Sequence, residues 1–170
     1  MAHNMQKGRK QLMQPNLWID KYTDITPTLL KELGAKAVLV DIDNTVVEHR
    51  SNEVNQVLID WFDALKEAGL AVCILSNNPK SRVKAFSKKL LVPFVAGFSK
   101  PWPWGFGKAI KKVGTSRENI VMIGDQVFTD LVGSNWAKIK CILVKPIGGK
   151  ELPHTRLLRK LEDLVTGGRK

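Results

Sequence analysis

Five short stretches of the 170-residue chain are apolar, Asp41 being the one charged position inside them: 37–42, 70–75, 92–96, 120–123 and 141–144. They are rich in Val and Ile and do not alternate polar with apolar. That pattern suits strands buried on both faces of a parallel sheet. Between them the apolar period lengthens to that of helices. Val54, Leu58, Trp61, Phe62 and Leu65 form one face, and Gly69 beyond them fits a helix C-terminus. Pro79 suits the first turn of a second helix, with Val83, Phe86 and Leu90 facing inward. A third helix is predicted near 106–113, ending at Gly114, and a fourth begins near Thr129 with Leu131, Val132 and Trp136. Trp61 and Trp136 fall on the apolar faces and read as core. The order β-α-β-α-β-α-β-α-β predicts an α/β fold: a doubly wound, Rossmann-like parallel sheet of five strands with helices on both faces. Functional groups in such a sheet gather beyond the carboxyl ends of the strands.

Composition bounds the picture without changing it. The length suits a single domain of roughly 100–200 residues, divided into an N-terminal arm (1–35), a central core (36–146) and a C-terminal helical tail (147–170). Leucines at 157, 158, 161 and 164 suit packing of that tail on the sheet. Hydrophobic content of 44% and charged content of 25% exclude disorder as the main state. No apolar run approaches the ~20 residues of a membrane span, and the N-terminus lacks the apolar segment of a secretory signal. A cytoplasmic location is the expectation. Cys73 and Cys141 sit inside strand-like runs and read as small buried hydrophobes. His3, His49 and His154 show no ligand spacing and read as structural or surface groups.

Charge changes the picture more. The net charge is +11, unevenly spread: residues 36–70 carry 3 basic and 7 acidic side chains, residues 71–110 carry 7 basic and none acidic. Such a chain favours anionic partners.

The polar residues just after the apolar runs are chemically coherent. The first run ends in Asp41-Ile42-Asp43-Asn44-Thr45 and the second in Ser76-Asn77-Asn78. Lys100-Pro101 follows the third, and Gly124-Asp125-Gln126, with Thr129 and Asp130 beyond, follows the fourth. Residues two apart on a strand face the same way, so Asp41 and Asp43 would repel without a cation between them, and Asp125 adds a third charge. Oxygen ligands without His or Cys favour Mg²⁺. Lys100 can steady a carboxylate or phosphate, and Ser76 with the amides after it can bind phosphate oxygens. Such a set can transfer a phosphoryl group. One carboxylate attacks phosphorus, a second acts as acid and base, and the cations offset phosphate charge.

These motifs (VLVDIDNTV, ILSNN, SKP and IGDQVFTD, in order over 36–130) resemble the haloacid dehalogenase (HAD) superfamily of aspartyl phosphatases. The resemblance implies Asp41 as nucleophile and Mg²⁺ ligand, and Asp43 as general acid/base that also offers Mg²⁺ its backbone carbonyl. It implies phosphate binding by Ser76 with Asn77 as helper, and Lys100 orienting Asp41 and phosphate. Asp125 would ligate Mg²⁺, Asp130 would act behind it or through water, and Thr45 would support the nucleophile loop. The spacing from Asp43 to Ser76 and on to Lys100 leaves no room for a cap domain, so the site should be open. The stretch NLWIDKYTDITPTLLKELGAKAVLVDIDNT resembles the small capless phosphatases of YqeG type, related to mitochondrial-type phosphatidylglycerophosphate phosphatases. That resemblance implies a phosphorylated substrate in an anionic membrane lipid, and a peripheral position at the inner face of the membrane.

Several features carry two readings. Trp102, Trp104 and Phe106 make either an interfacial rim beside the site or ordinary packing. Lys80, Arg82, Lys84, Lys88 and Lys89 make an electrostatic rim or a solvated face. Lys7, Arg9, Lys10, Leu12, Met13, Leu17 and Trp18 make a basic amphipathic arm or a frayed terminus. Two functional alternatives stand beside the lipid phosphatase. One is a phosphatase acting on a nucleotide, protein or ribosome-associated substrate, although no nucleic-acid-binding motif is present. The other is a receiver-like module that binds phosphate without turnover, which would have no use for Asp43.

Overall fold

The central strand, β2 (Ala37–Val40), is buried at every position. Val38 and Val40 enter one apolar cluster, Ala37 and Leu39 the other, so a single strand serves a core on each face of the sheet. The structure is a computed structural model and describes residues 14–148. Beside β2 lie β3 (Ala71–Leu75) and β5 (Ile120–Gly124). β4 (Phe94–Val95) pairs outside β3 and β6 (Lys140–Val144) outside β5. All pairings are parallel.

The sheet has six strands, not five. The sixth, β1 (Leu17–Ile19), pairs with β6, Leu17 beside Ile142 and Ile19 beside Val144. Three residues are too few to show a strand period, which is why the sequence places them in an arm. The arm boundary at 35 therefore cuts through the sheet. After β1 the chain forms α1 (Pro27–Glu32), started by Thr26, whose hydroxyl accepts from the Leu29 N–H at 3.2 Å, and by Pro27 in the first turn. Trp61 ties this segment down: its indole N–H donates to the Ile25 carbonyl at 2.9 Å and its ring meets Tyr22 edge-on. Replacing such a buried aromatic by Ala costs about 3–5 kcal/mol.

The first face is covered by α1, α2 (Gln56–Glu67) and α3 (Lys80–Leu90). α2 starts one residue after Asn55, whose side chain caps the Leu58 N–H at 2.9 Å. Val54, assigned to that helix from its spacing, precedes it. The second face is covered by α4 (Pro103–Val113), a π-helical turn (Val127–Val132) and α5 (Gly133–Ala137). That turn corrects one expectation. A π turn shifts the side-chain phase by about one residue relative to an α-helix, and Trp136 ends 45% exposed rather than in the core.

Cys73 and Cys141 are free and buried, as expected. Burial pushes the Cys73 thiol up to about 12 and raises Cys141 as well, so neither is a ready thiolate. Among the described residues no helix is long and apolar enough to cross a membrane, and no cap interrupts the alternation of strand and helix. Apart from Ile147 and Gly148, the predicted tail lies outside the described residues, as do Lys7, Arg9, Lys10, Leu12, Met13, His3 and His154.

Candidate active site

From β2 the chain builds outward through β3 and β4, then returns to the other side of β2 for β5 and β6. The order reverses between β2 and β5, the place in such a sheet where ligands bind beyond the strand ends. Asp41 leaves β2 on one side of it and Asp125 leaves β5 on the other.

Lys100 is the hub. Its Nζ lies 2.8 Å from Asp41 Oδ2 and donates to Asp130 Oδ1 at 2.6 Å, and the residue is 1% exposed. Burial alone would pull the ammonium down, but Asp130 and Asp41 outweigh it, and its pKa ends above the ordinary lysine value. The loop carrying Lys100 is held by Asn77. The Asn77 Oδ1 accepts from the Ser99 and Lys100 N–H groups at 3.0 and 2.8 Å, and its Nδ2 donates to the Lys100 carbonyl at 2.9 Å. The Lys100–Pro101 peptide is cis. Asn77, expected beside phosphate, thus uses its side chain to position Lys100. Ser76 Oγ accepts from Asn78 Nδ2 at 2.9 Å.

Asp130 is placed by the π turn and by Gly124. A Cβ at Gly124 would collide with the Asp130 carboxylate, so only glycine admits it there. Asp130 Oδ2 accepts from the Gln126 N–H at 3.0 Å. Asp125 Oδ1 accepts from the Thr45 hydroxyl at 3.1 Å, so Thr45 ties the loop after β2 to the one after β5. Asp125 forms no ion pair with a lysine or arginine among the described residues. Its own burial, then Asp130 and Asp41, push its carboxyl up to about 8. Burial raises Asp130 to about 6, against the pull of Lys100.

Asp41, Asp125 and Asp130 each offer an oxygen within 4.8 Å of the others, and all three are buried. Hard carboxylate oxygens without nitrogen or sulfur donors suit a divalent cation of the Mg²⁺ or Ca²⁺ kind. The surplus of negative charge over the one ammonium makes the same demand.

Asp43 does not join that cluster. β2 ends at Val40, and the N–H groups of Thr45, Val46 and Val47 all turn back to the Ile42 carbonyl. The two-residue period stops there, and Asp43 finds other partners. Arg82 Nη2 donates to its Oδ1 at 2.6 Å, the Arg50 N–H to the same oxygen at 3.3 Å, and His49 Nδ1 lies 3.5 Å from Oδ2. By sequence alone Arg82 is one of five basic residues on α3. Its place in the first turn, four residues before the buried Phe86, is the signal that could have separated it.

A lysine buried between two carboxylates at the switch point of a parallel sheet is an arrangement that can steady a carboxylate beside a phosphate group. Known proteins resemble this chain in sequence and fold. A family model described as haloacid dehalogenase-like hydrolase matches residues 53–137, and one described as mitochondrial PGP phosphatase matches residues 3–90. The probable phosphatase YqeG of Bacillus subtilis is 37% identical over 153 residues, covering 90% of this chain and 89% of that one. A phosphatidylglycerophosphate phosphatase of Arabidopsis thaliana is 26% identical over 164 residues, covering 90% of this chain and 47% of that one. The fold is shared with the HAD phosphatase of Thermococcus onnurineus (22% identical, TM-score 0.50, 59% of this chain and 51% of that one). It is shared too with the cobalt-bound deoxy-D-mannose-octulosonate 8-phosphate phosphatase of Haemophilus influenzae (17% identical, TM-score 0.52, 81% and 91%). The chain belongs to the HAD-like hydrolases and, within them, to the YqeG family of phosphatases. The receiver-like alternative is thereby set aside.

Proposed function

We propose that the chain is a Mg²⁺-dependent phosphomonoesterase that works through an aspartyl-phosphate on Asp41 and takes phosphatidylglycerophosphate at a membrane surface. The observation that carries the mechanism is the Lys100 clamp, which fixes one Asp41 oxygen while the Ile42 N–H donates to the other at 2.8 Å. An Asp41 oxygen attacks phosphorus, the bond from phosphorus to the alcohol oxygen breaks, and the alcohol leaves with a proton from Asp43. Water then attacks the same phosphorus and gives a proton to Asp43. The Asp41–phosphate bond breaks, and both carboxylates return to their starting state. Ser76 donates its hydroxyl to a phosphate oxygen, and Lys100 offsets phosphate charge.

Asp41, Asp125 and the Asp43 carbonyl would hold the cation, which when bound supplies positive charge to the phosphate oxygens. Asp130 has both oxygens engaged, with Lys100 and Gln126, and acts as a positioning residue.

The lipid substrate is supported by the likeness to phosphatidylglycerophosphate phosphatases and by exposed aromatics on the segments that follow β4 and β5: Phe98 and Trp102, Trp104 in the first turn of α4, and Phe128 in the π turn. Trp102 lies 6.5 Å from Trp136, and Lys108 Nζ sits 5.1 Å from the Trp104 ring centroid. Aromatic rings with cations nearby suit the interface of an anionic bilayer. The test compares turnover of phosphatidylglycerophosphate in vesicles with soluble phosphomonoesters and nucleotides, each with and without Mg²⁺. Preference for the lipid, weakened by Trp102→Ala with Trp104→Ala, is expected. Preference for a soluble nucleotide would overturn the lipid assignment.

A further inference from the structure

Beside Asp43 lies an open groove of about 440 Å³. Val54, Ala85 and Phe86 make it apolar, Asn52, Arg82 and Lys89 make it polar, and no acidic residue lines it. Two cations over an apolar surface suit an organic ligand that carries an anion.

Arg82 joins this groove to the site. Its Nη2 donates to Asp43 Oδ1 and to the Ser51 carbonyl, both at 2.6 Å, and its Nε donates to Asn52 Oδ1 at 3.1 Å. Its guanidinium carbon stands 5.5 Å from the Phe86 ring centroid. The side chain is 15% exposed, and its Nη1 is buried without a hydrogen-bond partner among the described residues. Guanidinium groups this enclosed ordinarily have their N–H groups accepted. The remaining contacts hold the side chain in place in advance, so a ligand need not order it.

We propose that the groove receives the alcohol side of the substrate, and that Arg82 and Lys89 bind a second anionic group carried on that alcohol. The anion is a phosphodiester or a carboxylate. The proposal rests on the reading of Asp43 as the group that protonates the leaving alcohol. That reading sets the alcohol oxygen at Asp43 and the rest of the alcohol toward Arg82. Val54, Ala85 and Phe86 then meet its carbon atoms. The site would thus select phosphomonoesters by what lies beyond the scissile bond, independently of any lipid tail.

The test uses the full chain with Mg²⁺ and three water-soluble substrates. Glycerol phosphate has a neutral alcohol, 3-phosphoglycerate carries a carboxylate, and glycerophosphoglycerol phosphate carries a phosphodiester. The kcat/KM of at least one anion-bearing substrate should exceed that of glycerol phosphate about ten- to hundredfold, the range of one or two charge-assisted hydrogen bonds. Which of the two anions gains identifies the group. Lys89→Ala, at an exposed position, should cut that ratio about tenfold, and Arg82→Lys should cut it as well. Lys111→Ala, exposed on α4, should leave it at the wild-type value. Binding of glycerophosphoglycerol, which has no scissile phosphate, gives a readout apart from turnover. It should weaken about tenfold in Lys89→Ala if the phosphodiester is the anion. A wild-type ratio near one for both anions overturns the proposal, as does a ratio that neither Lys89→Ala nor Arg82→Lys changes. Unimpaired turnover by Asp41→Asn would overturn the mechanism instead, and it is measured separately from the ratio.

Discussion

The two carboxylates of the DxD motif are each gripped by a cation, and the grips differ in kind. Asp41 meets Lys100 at 2.8 Å in a pocket where the lysine is 1% exposed and is shared with Asp130. Asp43 meets Arg82 at 2.6 Å nearer the surface, with His49 beside it and an open groove behind. The inner pair is surrounded by fixed groups: Asn77 holds the lysine loop, and Gly124 makes room for Asp130. The outer pair faces a space that a substrate can enter. This division suits a two-step phosphoryl transfer. The nucleophile proposed at Asp41 must stay still through both steps, whereas the acid/base proposed at Asp43 must meet first an alcohol and then a water.

The largest effect expected at the outer pair is on rate. Asp43→Asn should lower kcat by about 10²- to 10⁴-fold, the usual contribution of a positioned acid/base, while the unfolding midpoint in urea stays close to wild type. A large loss of stability with it would show that Asp43 belongs to the framework instead. At the inner pair the largest effect is on stability. Lys100→Met leaves Asp41 and Asp130 buried without their cation, a loss of about 3–5 kcal/mol, measured by urea unfolding. Arg82→Met should cost less, about 1–3 kcal/mol, because the Arg82 and Asp43 side chains keep 15% and 10% exposure where Lys100 keeps 1%. Equal losses at the two lysine and arginine sites would erase the distinction drawn between them.

Much of this was legible along the chain because strand ends announce themselves. The runs before Asp41, Ser76 and Asp125 are continuous and apolar, and a buried parallel strand leaves its first polar residue at the sheet edge. Lys100 was legible as the lysine before a proline after the third run. Three features were not. β1 is three residues long and gains its identity from pairing with β6 rather than from its own pattern. Trp136 follows a π turn, whose extra residue rotates the face that a 3.6-residue period projects. Arg82 sits among four lysines on α3, and only the tertiary position of Asp43 distinguishes it. The side-chain role of Asn77 was hidden for the same reason, since its partners are backbone groups 22 and 23 positions away.

The smallest effect concerns protons at the acidic side of the site. Burial and like charge raise Asp125 to about 8 and Asp130 to about 6, above the ordinary carboxylate value of about 3.9. In the metal-free chain the folded state therefore holds protons that the unfolded state has released. The stability these groups contribute is full below about pH 4 and is lost as the pH rises through 6 and 8. A divalent cation must displace those protons, so its binding should tighten with pH and release protons into solution. The gap in unfolding midpoint with and without Mg²⁺ should therefore be wider at pH 8 than at pH 5. A gap that narrows would place the cation elsewhere.

The mechanism turns on Asp41 becoming phosphorylated. Rapid quenching during turnover of a substrate labelled with radioactive phosphorus, followed by peptide mapping, reads this directly. The expected result is one acid-stable, base-labile label on the peptide containing Asp41, absent in Asp41→Asn together with turnover. Label on another residue, or turnover by Asp41→Asn at the wild-type rate, would contradict the mechanism.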